Sequence, residues 1–224
     1  RIKELGNIAV TLSIGERDYE DYEQWKKDGA DRYLLKHETA DKSLYEKLHP
    51  HSSIKTRIEC LRWLKELGYQ PGSGFMIGLP GQNLTTIAKD ILLLKKLDVD
   101  MAGIGPFIPH PSTLLGQNNA GDGLLTLKAL ALTRILLKRT HLPTTTALEV
   151  NNIDDRDNAF NAGANVIMRK IQPIKYQKLY EIYPKSDFDG EDLMRERKKI
   201  EDYIKKIGRQ VAKDKGDAID ISEI

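Results

Sequence analysis

Residues 101–111, MAGIGPFIPHP, run from a short apolar strand through a glycine step into a loop stiffened by Pro106, Pro109 and Pro111. Barrel enzymes place their ligands on such elements, because a fixed backbone presents N–H and C=O groups without an ordering cost. Working outward, the pattern predicts strands over 8–14, 33–38, 75–79, 101–107, 144–150 and 165–171. Helical spacing follows over 19–27, 54–67, 85–97 and 125–138, with a short helix ending near Gly163. Repeated strand–helix units predict a parallel sheet. A doubly wound sheet would carry phosphate-binding glycines after its first strand. Gly72, Gly74 and Gly78 have the wrong spacing and stand before the third strand or at its end.

The expectation is therefore an α/β chain, a partial (β/α) TIM-type barrel with about six of eight parallel units. Residues 1–184 are assigned to the barrel, and 185–224 to a charged helix, about 191–207, with a polar end. Arg1 to Leu5 reads as the last turn of a helix closed by Gly6. The chain does not open with methionine, and it is expected to be a piece of a longer protein whose first two units precede Arg1.

A chain of 224 residues, 40% hydrophobic, can bury one substantial core. Its 35 basic and 33 acidic residues are interspersed for a net charge of +2, so neither nucleic acid nor a membrane is expected as partner. No apolar run approaches the roughly 20 residues that span a bilayer. The charged opening does not resemble a signal peptide, so a cytoplasmic location is expected. Cys60, the lone cysteine, excludes an internal disulfide and any multi-cysteine metal site within these residues.

In a barrel the functional groups stand at the carboxyl ends of strands. Lys36, His37 and Glu38 end the second strand, where period two sets Lys36 and Glu38 on one face and His37 on the other. Charges facing a barrel interior are costly unless they meet a ligand or each other; the alternative is that the strand has left the core there. Arg57 falls in the first turn of the next helix, where the macrodipole disfavours a cation. An anion at that helix start would gain both the free N–H groups and the guanidinium; the alternative is an exposed arginine. Gly74, Gly78 and Gly81 in GFMIGLPGQ would let a ligand approach the backbone. His110 reads as a loop residue. Thr144, Thr145 and Thr146 are either lumen hydroxyls or simply strand formers. Tyr176, Tyr180 and Tyr183 recur at packing intervals, and Cys60 reads as a small buried hydrophobe.

Together YLLKHET, the Arg57 helix, GSGFMIGLPGQ, MAGIGPFIPHPST and AGANVIM closely resemble the HydE family of radical S-adenosylmethionine (SAM) enzymes. These are maturases of the FeFe-hydrogenase active-site cluster, and the match extends over about residues 8–183. The resemblance implies SAM lying across the upper rim of a barrel. It assigns the methionine carboxylate to Arg57 and cofactor contacts to Glu38, Lys36, Met101 and Ile108. Lys36 stands where the family is expected to carry arginine, and an ammonium gives no bidentate grip. Thr145, Met168 and Tyr176 are assigned to the neighbourhood of the substrate cavity. A 4Fe-4S cluster is also implied, but its CxxxCxxC motif is not in this sequence and one thiol cannot hold it. As it stands this piece is expected to be inert. For the full-length protein the resemblance implies a 5′-deoxyadenosyl radical acting on an organometallic precursor, an iron–cysteine carbonyl cyanide species, beside other hydrogenase maturases. Another biotin synthase-like enzyme of the methylornithine synthase type, a barrel scaffold without catalysis, and a phosphate-binding barrel are the rival readings. ALEVNN and MRKIQP do not resemble phosphate loops.

Overall fold

The computed structural model describes residues 1–151, 155–169, 171, 173, 176 and 193–218. Strands β1 (Thr11–Leu12), β2 (Arg32–Leu34), β3 (Gln70–Ile77) and β4 (Met101–Pro106) pair in parallel, in chain order. Strand β5 (Pro143–Thr144) pairs in parallel with β6 (Val166–Ile167), and a bridge between Met101 and His141 joins that pair to the edge of β4. A doubly wound sheet reverses its strand order at a switch point; this one advances without reversal, as a barrel wall does. The described residues thus form a six-strand arc of a TIM-type (β/α) barrel, as the sequence predicts.

Helices α1 (Tyr19–Lys27), α2 (Lys42–Leu48), α3 (Ile54–Glu66), α4 (Leu84–Leu97) and α5 (Gly123–Leu136) lie between successive strands. Four of them begin on a side chain that accepts from the first turn: Asp41, Ser53, Asn83 and Asp122. Their apolar faces pack on alternate strand residues. Phe75, Ile77, Ala102 and Ile104 join Ile87, Ile91 and Leu94 of α4 and Leu130 of α5 in one core. Tyr33 and Leu35 join Tyr22, Leu61, Leu64 and Tyr69 in a second. By period two, the residues between them face the other way: Leu34 and Lys36 on the β2 line, Gly72 and Gly74 on β3, Gly103 and Gly105 on β4. That face is the barrel lumen.

The strands β1, β2 and β6 are shorter than expected and β3 begins earlier, and two segments take a different structure altogether. The sequence predicts a strand over 144–150, but the chain leaves β5 after Thr144 and forms α6 (Thr146–Asn151). Three consecutive threonines suggest β structure, yet Ala147 and Leu148 are helix formers that bury together against the wall. Residues 40–51 hide the short helix α2, whose seven residues are too few to display a period but bury Leu44 and Tyr45. Helix α7 (Asp155–Asn161) ends before Gly163, as expected. Helix α8 (Leu193–Lys206) matches the expected tail helix, while the proposed division after residue 184 lies outside the described residues.

Helix α8 and the segment after it cover the amino-terminal edge of the arc, enclosing a cavity of about 850 Å³ between Arg32, Gln70, Met101, Phe160 and Ile204. Asp217 fastens the segment, accepting from Arg32 Nη2 and Gln70 Nε2, each at 2.9 Å. Those bonds hold its carboxyl at about 2, below the ordinary 3.8. A depressed carboxyl stabilises the fold above its unfolded value, about pH 4, and loses that contribution as pH falls toward 2. Asp217→Asn should therefore lower the urea midpoint at neutral pH, with most of the difference from wild type lost by pH 2. A difference undiminished at pH 2 would contradict this account of the clasp.

Candidate functional site

The carboxyl edge of β1 and β2 gathers the site. Gly15, at φ 83, turns the chain out of β1, and its carbonyl accepts from Tyr33 Oη at 2.7 Å and Tyr22 Oη at 3.3 Å. The Arg17 N–H donates back to Tyr22 Oη at 2.9 Å. Two buried tyrosines thereby fix the residue between them, Glu16. Burial pushes the Tyr22 hydroxyl well above the usual phenol range and raises that of Tyr33, so both remain donors.

Glu16 reaches the first turn of α3. Its Oε1 lies 2.6 Å from Arg57 Nε, and Ser52 Oγ donates to both of its oxygens at 2.9 and 3.1 Å. Arg57 Nε also donates to Tyr45 Oη at 3.1 Å, and Nη1 to the Lys36 carbonyl at 3.3 Å. Both partners are mostly buried, with 16% and 23% of the Arg57 and Glu16 side chains exposed. The cation that the sequence marks as misplaced against the helix dipole is thus neutralised by a carboxylate 41 positions earlier in the chain. Glu16, Tyr45 and Ser52 are functional candidates that sequence reasoning passes over. Nothing local marks the Glu16–Arg57 pair, and Tyr45 stands on the unforeseen α2.

Lys36 lies in the lumen. A side chain placed on Gly103 would meet its Cε at 3.1 Å, so the lysine stem rests on the bare glycine surface of β4. Thr145 takes the next position along, against Gly105, with Oγ1 3.4 Å from the Ile104 carbonyl. Glu38 continues the β2 line and is held to β3, its N–H donating to the Gly74 carbonyl at 3.0 Å. Its φ of 63 is left-handed, a conformation rare for a residue other than glycine, and Thr39 N–H closes a tight turn around it onto the His37 carbonyl at 2.7 Å. Among the described residues, Glu38 Oε2 is buried without a hydrogen-bond partner. The expected split between Lys36 in the lumen and His37 in the wall is observed.

Other expected site residues lie elsewhere. Met101 opens β4 at the amino-terminal edge and lines the cavity there. Glu38 bridges Phe75, which pairs with Ile104, so Met101 stands three residues, about 10 Å, below the Glu38 level. Ile108 follows β4 at the carboxyl edge. Met168, 58% exposed, follows β6, and Tyr176, 47% exposed, lies further along; the structure does not gather either with Glu38. The space expected for a ligand beside Gly74 and Gly78 is taken by the protein's own backbone, Gly103 and Gly121 respectively. His110 accepts from Ser112 N–H at 3.2 Å within its loop.

The Radical SAM superfamily profile matches residues 1–104, the segment that contains Glu16, Lys36, Glu38 and Arg57. The FeFe hydrogenase maturase subunit HydE of Thermotoga maritima is 52% identical over 183 residues, 82% of this chain and 52% of that protein. The chain belongs to the radical SAM superfamily. A second superfamily relative, 3-methylornithine synthase of Methanosarcina acetivorans, is 31% identical over 73% of this chain and 46% of its own length. The crystal structure of methylornithine synthase superposes with a TM-score of 0.78 over 95% of this chain and 61% of that one, at 23% identity, which bears on the fold alone. The chain spans about half the length of the curated relatives it matches.

The superfamily takes SAM and a 4Fe-4S cluster, and the residues present suit the two differently. An unpartnered buried carboxylate oxygen on Glu38, a glycine-built lumen wall that carries Lys36 and Thr145, and a guanidinium at the rim fit a ligand with amino, hydroxyl and carboxylate groups. The cluster does not fit these residues. Cys60 is buried with its thiol pushed up by burial, and among the described residues no three His, Cys, Asp or Glu side chains converge on a metal position.

Proposed function

We propose that the full-length protein is a radical SAM enzyme of the HydE type, which takes part in maturation of the FeFe-hydrogenase active-site cluster. The observation that carries this reading is the 52% identity to the Thermotoga HydE over 183 residues, 82% of this chain. Bound SAM supplies a 5′-deoxyadenosyl radical on reductive cleavage. This chain's part is to bind and orient the cofactor, with cluster ligands provided outside it. Arg57 donates to the methionine carboxylate from the guanidinium edge that Glu16 does not occupy. Glu38 accepts from a cofactor donor through its unpartnered oxygen, Lys36 places a positive charge over the glycine floor, and Ile108 closes the rim. Thr145 faces the substrate side of the lumen, and the resemblance assigns Met168 and Tyr176 to the same neighbourhood and Met101 to an apolar cofactor contact. The substrate is a small organometallic precursor, other hydrogenase maturases are the partners, and the location is cytoplasmic. Among the described residues no helix is long and apolar enough to cross a membrane.

The test is conversion of SAM to 5′-deoxyadenosine by the full-length protein, reconstituted with iron and sulfide and reduced with dithionite. Production that depends on Arg57 is expected; none at all in a fully reconstituted sample would reject the reading. Methylornithine synthase chemistry is the second reading, favoured by the 31% relative. It predicts that turnover yields 3-methylornithine and does not respond to an iron–cysteine species.

Glu16 serves here as an anchor for Arg57. Glu16→Gln keeps an acceptor for Ser52 but removes the charge facing the guanidinium, and SAM affinity should fall about tenfold by equilibrium titration of the full-length protein. A tenfold gain instead would mean that Glu16 competes with the cofactor carboxylate.

A further inference from the structure

Behind Glu38, on the helix side of the wall, stand three polar side chains that the reading above does not use: Ser73 of β3, His37, and Asp90 of α4, each fully buried at 0% exposure. Ser73 Oγ lies 3.0 Å from His37 Nδ1 and accepts the His37 backbone N–H at 3.2 Å. On the ring's far side, His37 Nε2 faces Asp90 Oδ1 at 3.6 Å. The same Asp90 oxygen accepts the backbone N–H of Ala40 in a short hydrogen bond. Ser73 therefore holds the chain before Glu38, at the His37 backbone, and Asp90 holds it after, at the Ala40 backbone, while His37 Nε2, without a hydrogen-bond partner among the described residues, packs against Asp90 between them. Between those points lies the tight turn that carries Glu38 at φ 63.

A buried carboxylate is costly to desolvate, and among the described residues Asp90 Oδ2 has no hydrogen-bond partner to offset that cost. A left-handed, non-glycine residue likewise persists only where its surroundings over-determine it. Both costs fall on one short segment, and the side chain that the segment delivers to the lumen is the carboxylate with an unpartnered oxygen. We infer that Asp90 is a positioning residue: with His37 and Ser73 it clamps residues 37–40 and so fixes the Glu38 carboxylate toward the cofactor. This inference rests on the reading of Glu38 as a SAM ligand.

The experiment is a double-mutant cycle on the full-length, cluster-loaded protein, with SAM affinity read by isothermal titration. Asp90→Asn keeps the shape but replaces the charged acceptor of the Ala40 N–H with a weaker neutral one. It should weaken SAM binding about tenfold in the wild-type background and leave it unchanged in the Glu38→Ala background, because a positioning residue acts only through the group it positions. Equal losses in both backgrounds would mark a general structural effect and overturn the inference, as would no loss from Asp90→Asn alone when Glu38→Ala does weaken binding. Should Glu38→Ala itself leave affinity unchanged, the ligand role of Glu38 fails, and the clamp's purpose fails with it. If Asp90→Asn does not fold, Ser73→Ala, which removes only the hydroxyl holding His37, takes its place in the same cycle.

Discussion

Arg57→Ala in the full-length protein should weaken SAM binding about 100-fold, the largest effect expected of any rim substitution. The guanidinium is mostly buried and already joined to Glu16, Tyr45 and the Lys36 carbonyl, so it meets a carboxylate without further ordering. Truncation removes that grip and also leaves the Glu16 carboxylate without its cation, a change of about 2–5 kcal/mol for buried charge pairs. Arg57→Lys should recover only part of the loss, since a lysine cannot hold Glu16 and a ligand carboxylate on two edges at once. Titration calorimetry of the three proteins checks the order, and equal affinities would remove Arg57 from the site. The melting temperature distinguishes a lost ligand contact from a lost fold: Arg57→Lys should stay near wild type in stability while binding SAM more weakly.

Gly74→Ala should cost about 3 kcal/mol of stability, at the upper end of overpacking effects. A methyl group at this position would lie 2.0 Å from the Gly103 carbonyl oxygen, and neither atom can move without separating β3 from β4. Those two strands share the longest register in the sheet, six pairs from Gly72–Met101 to Ile77–Pro106, so the strain falls on the centre of the wall. Gly81→Ala is the control from the same stretch. Its added carbon would meet only Leu44 Cδ1, at 3.8 Å, although its φ of 93 still carries a backbone penalty. Urea denaturation should place Gly74→Ala clearly below Gly81→Ala. The reverse order would show that the two strands yield more readily than their packing implies.

These residues also show how far the sequence could be read. Period two and strand–helix alternation suffice for the parallel arc, because each strand must bury one face under a helix, and that requirement is written locally in Phe75, Ile77, Ala102 and Ile104. The same periodicity separates Lys36 from His37. It fails at Thr144–Thr146, where β-branched residues precede a helix set by tertiary burial of Ala147 and Leu148. It also fails for the third strand, which begins at Gln70 rather than 75. Gly72 and Gly74 look like turn residues in isolation, yet the close approach of β4 requires them within the strand. In the site, Arg57 announces itself by standing against a helix dipole. Glu16, Tyr45, Ser52 and Asp90 carry no local anomaly, because their meaning lies in partners 7 to 50 positions away. Glu38 is intermediate: its position is legible, and the left-handed turn that aims it is not.

The central claim is that the carboxyl edge of β1 and β2, and not the cavity of about 850 Å³ at the opposite edge, holds the cofactor. A crystal structure of the full-length protein with S-adenosylhomocysteine tests it most directly. The account predicts the ligand's carboxylate on Arg57 and one of its donors on Glu38 Oε2. Density for the ligand beside Arg32, Gln70 and Ile204, with Glu38 and Arg57 untouched, would contradict it.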